Sequence, residues 1–130
     1  HAKAVAKALR QKVMVVQATP AIWEYSQHLE DDGGAYQDFS AVAEGVDKAA
    51  MNYLEGVAAL LVNEGFAEVE PCLLHGHPAQ AVMDVVKDTP EAMVAMTTHG
   101  RSGIGRFLLG SVADHVVRHT GAPVLLVRAK

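Results

Sequence analysis

The sequence predicts an α/β fold, a three-layer sandwich in which a parallel sheet is flanked by helices. Three observations predict it. Short β-branched apolar runs alternate with longer segments of helical period. The connections between them are short, as expected for crossovers between parallel strands packed under helices. One apolar run, beginning at Met93, leads through a loop with three glycines (Gly100, Gly103, Gly105) and two arginines (Arg101, Arg106) to a helix start at Gly110-Ser111. In such sheets ligands bind beyond the carboxyl ends of the strands, where this loop begins.

Residues Ala2 to Leu9 alternate small apolar and basic side chains without Gly or Pro, which predicts a helix ending near Arg10. Lys12 to Ala18 is a β-branched run closed by Thr19-Pro20, and reads as a buried strand. Ala21 to Phe39 carries Glu24, Glu30, Asp31, Asp32 and Asp38, no Lys or Arg, and the breaker pair Gly33-Gly34. That composition predicts a solvated excursion, with one helical turn around Trp23.

From Ser40 to Asn63, Val42, Val46, Ala50, Tyr53, Val57 and Leu60 recur every three or four residues, so a long helix is expected to lay this stripe on a core. Ser40 is the expected N-cap and Gly65 the expected C′ residue. Ala67 to Leu74 is a second strand, and Pro71 within it argues for an edge position. Pro78 suits the first turn of a helix running to Lys87 with Val82, Val85 and Val86 as its packing face, and Asp88 to Glu91 is a turn. Met93 to Thr97 is the third strand. Val112 to Thr120 forms the last helix, Gly121-Ala122-Pro123 ends it, and Val124 to Val127 is the final strand.

At 130 residues the chain is expected to be a single domain, 1–130, able to bury roughly two-thirds of its unfolded surface. Half the residues are apolar and a fifth are charged, the composition of a globular domain. Eleven basic residues against fifteen acidic give a net charge of −4, and no basic run is long enough to hold nucleic acid. No apolar run approaches the length of a membrane span. The lone Cys72 can form neither an internal disulfide nor a thiolate metal cage, which points to a reducing cytoplasm.

The glycine loop offers the chemistry of an anion cradle. Glycine lets backbone approach closely, and the free N–H groups of a helix start, backed by the macrodipole, suit a phosphate. The bland alternative is a surface turn. Seven histidines raise a metal hypothesis through His115/His119, one helical turn apart, and His75/His77, but solvent-facing histidines on a polar face are the stronger reading. No metal site is assigned. A Walker sequence is missing, since no Gly-Lys precedes a Ser or Thr, and no catalytic group is assigned either.

With those residues placed, the chain resembles the universal stress protein family in its ATP-binding branch, whose motif is G-x2-G-x9-G-S/T between the fourth strand and the last helix. Here Thr97-x2-Gly100, nine residues from Arg101 to Leu109, and Gly110-Ser111 follow that spacing. Gly76-His77-Pro78-Ala79 and Gly121 to Val127 resemble the family's flanking segments, so the match is close over residues 64–128 and one of order only over 1–63. The resemblance implies a five-stranded parallel sheet in the order 3-2-1-4-5 and ATP or a related adenine nucleotide as ligand. It implies phosphate contacts from the backbone of Gly100 and Gly110, a hydroxyl from Ser111 and the first-turn backbone at Val112. His99 is expected over the phosphates or ribose, Arg101 either screening phosphate charge or solvated, and Met96 with the backbone of Ala18 on the adenine side.

Two departures accompany it. Thr97 stands where the motif has its first glycine. The family's first strand, with the aspartate after it that meets adenine, is not found here; it is expected upstream of His1 in a longer native chain, the alternative being that another chain fills the gap. Without it the strands would fall into two pairs with open edges. The resemblance also implies a homodimer through Val124-Val127 and a protein partner that reads nucleotide occupancy. A weak ATP hydrolase with Mg2+ between loop and phosphates, and a dimerisation module whose pocket is closed by Thr97, are the alternatives.

Overall fold

A computed structural model describes residues 2–21, 39–98 and 109–127. Its elements are α1 (Ala2–Leu9), β1 (Val13–Thr19), α2 (Phe39–Asn63), β2 (Val69–His75), α3 (Pro78–Lys87), β3 (Val94–Thr97), α4 (Ser111–His119) and β4 (Val124–Val127). The alternation expected from periodicity is present, and both strand pairings are parallel. β1 pairs with β2 from Val13 opposite Val69 to Thr19 opposite His75, and β3 pairs with β4 from Val94 opposite Val124 to Thr97 opposite Val127. The excursion of residues 22–38, with its expected turn around Trp23, lies outside the described residues.

The chain divides into two compact units, residues 10–78 and residues 1–9 with 79–130. In the first, α2 packs on β1 and β2 and buries Ala43, Ala50, Leu54, Ala58 and Leu61. This corrects the expected stripe. Of its members only Ala50 is fully buried, whereas Val42, Tyr53 and Leu60 are exposed. Alanines fill the contact because a small side chain lets a helix lie close on a sheet.

The start of α2 is also corrected: helix begins at Phe39, so Ser40 lies inside it. Its end is as expected. Gly65 adopts φ 91°, its N–H bonds to the carbonyl of Val62, and the N–H of Phe66 bonds to that of Leu61. This is a Schellman closure, completed by the buried pair Phe66 and Leu61. The expected strands shift by one or two residues at their ends, as strand termini commonly do. Lys12, at the foot of β1, holds Glu70 on β2 at 2.6 Å and Glu68, just before β2, at 3.6 Å, and the pairing raises the lysine's pKa.

In the other unit α3 opens on Pro78 and buries Ala79 and Ala81, while the expected face of Val82, Val85 and Val86 is only half-buried. The turn after it is closed by the N–H of Asp88 on the carbonyl of Asp84 and by the Thr89 hydroxyl on the carbonyl of Val85. α4 buries Ala113 and Val116, and the N–H of Thr120 closes it on the carbonyl of Val116. Leu54, 1% exposed, is the largest side chain fully buried in its unit. Leu54→Ala should therefore lower unfolding free energy by about 2–5 kcal/mol, measured by urea denaturation.

Candidate functional site

The candidate site forms where β3 ends and α4 begins. Thr98, the residue after β3, donates its N–H to the carbonyl of Val127 at 3.0 Å, which holds it to the end of β4. Its own carbonyl accepts the N–H of Gly110 at 2.7 Å. The chain that leaves β3 is thereby brought back to its point of departure. The first intrahelical bond follows, from the N–H of Asp114 to the carbonyl of Gly110 at 2.9 Å.

Gly110 is the N-cap, and among the described residues no side chain caps the helix. The first-turn N–H groups have no intrahelical acceptor, so those of Ser111, Val112 and Ala113 point outward at the positive end of the helix dipole. Ser111 is exposed and brings a hydroxyl to the same place. Gly110 has φ −59° and ψ 152°, backbone that any residue adopts. Glycine is therefore not needed here for its conformation. What it supplies is the absence of a side chain beside an uncapped helix end.

Met96 and Thr97 are in β3, with Met96 half-buried and Thr97 exposed. The structure thus brings Met96, Thr97, Gly110, Ser111 and Val112 into one unit, at the carboxyl end of β3 and the start of α4. Ala18 belongs to the other unit, in β1 and in register with Leu74. His99, Gly100 and Arg101, together with Gly103, Gly105 and Arg106, lie outside the described residues.

A cavity of 580 Å³ lies elsewhere in this unit, among Met83, Lys87, Ala92, His119 and Pro123. Ala92 precedes β3 and Pro123 precedes β4, so the hollow sits at the amino ends of these strands, whereas Thr98 follows the carboxyl end of β3. Volume alone does not locate the anion chemistry. His115 and His119 stack with ring centroids 4.3 Å apart, and Nδ1 of His119 meets the carbonyl of His115. Among the described residues no three His, Cys, Asp or Glu side chains come together as metal ligands, and no helix is long and apolar enough to cross a membrane.

A polar clasp that the sequence did not reveal lies in the other unit. The buried Thr19 hydroxyl, at the end of β1, donates to Oδ1 of Asp47 on α2 at 2.7 Å. Nε2 of His75, at the end of β2, meets Oδ2 of the same carboxylate at 2.7 Å. The backbone closes beside it, with the N–H of Gly76 on the carbonyl of Thr19 at 2.8 Å. His75 first and Thr19 second hold the Asp47 carboxyl below its ordinary pKa. With aspartate between the other two, histidine does not touch the hydroxyl and cannot take its proton. The clasp fastens α2 to the carboxyl ends of β1 and β2.

Comparison with known proteins follows the same lines. The universal stress protein family model matches residues 1–128. Universal stress protein MJ0577 of Methanocaldococcus jannaschii is 30% identical over 81 residues, covering 62% of this chain and 49% of that protein. A universal stress protein of Thermus aquaticus is 34% identical over 64 residues, covering 49% of this chain and 47% of its own. The chain spans about half the length of the curated relatives it matches. Among solved structures, that of MJ0577 superposes with a TM-score of 0.74 at 20% identity, over 99% of this chain and 88% of the other. UspA from Lactobacillus plantarum gives 0.74 at 15%, over 98% and 84%. At such identities the likeness establishes the α/β fold.

The clasp sets a pH dependence. Because the folded-state pKa of Asp47 is depressed, its contribution to stability is present above the ordinary carboxylate pKa of about 3.9 and is lost as pH falls through the folded value. Thermal melts of wild type and Asp47→Asn should differ most above that pH, with the variant less stable, and converge in stronger acid.

Proposed function

We propose, from the premise that this chain belongs to the universal stress protein family, that it is a stress-response protein which binds ATP or a related adenine nucleotide at the glycine loop. The observation that carries this reading is the uncapped start of α4, brought to the end of β3 by the bond between Gly110 and Thr98. The N–H groups of the first turn and the Ser111 hydroxyl would hold phosphate oxygens, and Gly110 would admit them. Met96 would face the base. Thr97, exposed where the motif has glycine, would offer its hydroxyl beside the ribose. The sequence motif assigns His99, Gly100 and Arg101 to the phosphates, with Mg2+ as the counterion a nucleotide brings.

Occupancy of this site would favour one conformation or one dimer, which a protein partner reads. β4 suits the dimer contact, because among the described residues it pairs only with β3 and leaves an edge of backbone groups for a second copy. The cytoplasm is the compartment proposed, in keeping with the free thiol of Cys72. Binding without efficient turnover is the expected activity, since neither a Walker lysine nor an assigned general base accompanies the loop.

Isothermal titration with ATP tests the reading. A hydrogen bond to a charged phosphate contributes about 1.5–3 kcal/mol, so Ser111→Ala should weaken affinity roughly tenfold to a hundredfold. Gly110→Val should abolish measurable binding while circular dichroism shows the fold retained. A folded Gly110→Val protein with wild-type affinity would exclude this loop as the site.

A further inference from the structure

Helix α2 carries a second apolar stripe that the described residues of its own unit leave exposed. Val42, Val46, Tyr53 and Leu60 are 52%, 36%, 60% and 63% exposed. Exposed Ala49 and Gly56 fall between them. Taken in order, these residues are separated by four, three, four, three and four positions, the heptad spacing of a helix–helix seam. At about 100° per residue they lie within about 40° of one line, roughly 100° around the helix from the buried stripe. Glu44, Lys48 and Glu55, and the exposed Val62, fall on the far side. The seam carries no charge.

The glycines of α2 give an independent reason to expect a partner. Gly45 and Gly56 lie inside a 25-residue helix, where glycine weakens the helix relative to alanine. A Cβ on either would meet nothing within 4 Å, so packing among the described residues does not require them. Gly56 is on the seam and Gly45 is at its shoulder. A close-approaching second helix is the packing that would use them.

The seam is also complementary to its own reverse. When two copies of α2 lie antiparallel about a two-fold axis near Met51, Val42 faces Leu60, Val46 faces Gly56, and Ala49 faces Tyr53. Large side chains meet small ones at the two inner levels, and aliphatics meet at the ends. A parallel pair would instead set Tyr53 against Tyr53 and Gly56 against Gly56, crowding one level and emptying the next. This self-complementarity is what an isologous contact between identical chains requires, and a different partner would not need it.

We propose that α2 is a docking surface for a second copy of this chain, paired antiparallel through Val42, Val46, Ala49, Tyr53, Gly56 and Leu60. It is separate from the β4 edge and does not depend on nucleotide binding. With a single helix from each partner, the contact lies at the small end of specific interfaces, so association should depend on concentration.

Two measurements on the full chain test it. In a Cys72→Ser background, Val46→Cys protein mixed with Gly56→Cys protein and oxidised should give a disulfide between unlike chains, with little crosslinking of either variant alone. Self-crosslinking of Gly56→Cys, or no crosslink in the mixture, would overturn the antiparallel pairing. In sedimentation velocity Gly56→Leu should associate at least tenfold more weakly than wild type, while its melting temperature at low concentration rises because leucine is the better helix former. Association equal to wild type would overturn the proposal, as would a wild-type protein that stays monomeric at the highest concentration reached.

Discussion

The site depends on one hydrogen bond, from the N–H of Gly110 to the carbonyl of Thr98. Thr98 is itself tied to the end of β4, so this bond fixes where the loop after β3 must return and where α4 must start. The start of α4 then presents N–H groups that neither the helix nor, among the described residues, a capping side chain satisfies. They are open to water or an anion. A phosphate is well matched, because the same groups carry the positive end of the helix dipole.

The unit of residues 10–78 is organised by a different constraint. α2 lies on β1 and β2 through alanines, which allow close approach but bury little area each. Polar fastening supplements this packing at one end, where Asp47 takes hydrogen bonds from the ends of both strands. At the far end the helix is stopped by Gly65 and sealed by Phe66. The arrangement leaves an apolar face of α2 exposed among the described residues of its own unit.

The sequence made legible what rests on local chemistry. The alternation of elements, the stop at Gly65, the helix opened by Pro78 and the last strand from Val124 to Val127 follow from periodicity, left-handed backbone at glycine and the fixed φ of proline. The glycine loop stands out by its spacing, and its proposed ligand rests on the resemblance. The face of α2 was misread because the helix has two apolar stripes. Periodicity gave most weight to valine, tyrosine and leucine, many of which belong to the exposed stripe, and discounted the alanines that form the contact. The clasp of Thr19, Asp47 and His75 was invisible for another reason. Each of its bonds from Asp47 spans 28 residues, and no local pattern marks a contact made only by folding.

The family places this chain among proteins of one α/β fold, while its own residues determine what the fold can hold. Thr97 and Gly110 flank the loop and together set how closely a ligand can approach backbone. Backbone amide NMR during an ATP titration addresses the central claim most directly. The account predicts saturable shifts at Gly110, Ser111 and Val112, with Thr97 also perturbed. Saturable shifts confined to the cavity at Lys87, Ala92 and His119, or no shifts at the start of α4, would contradict it.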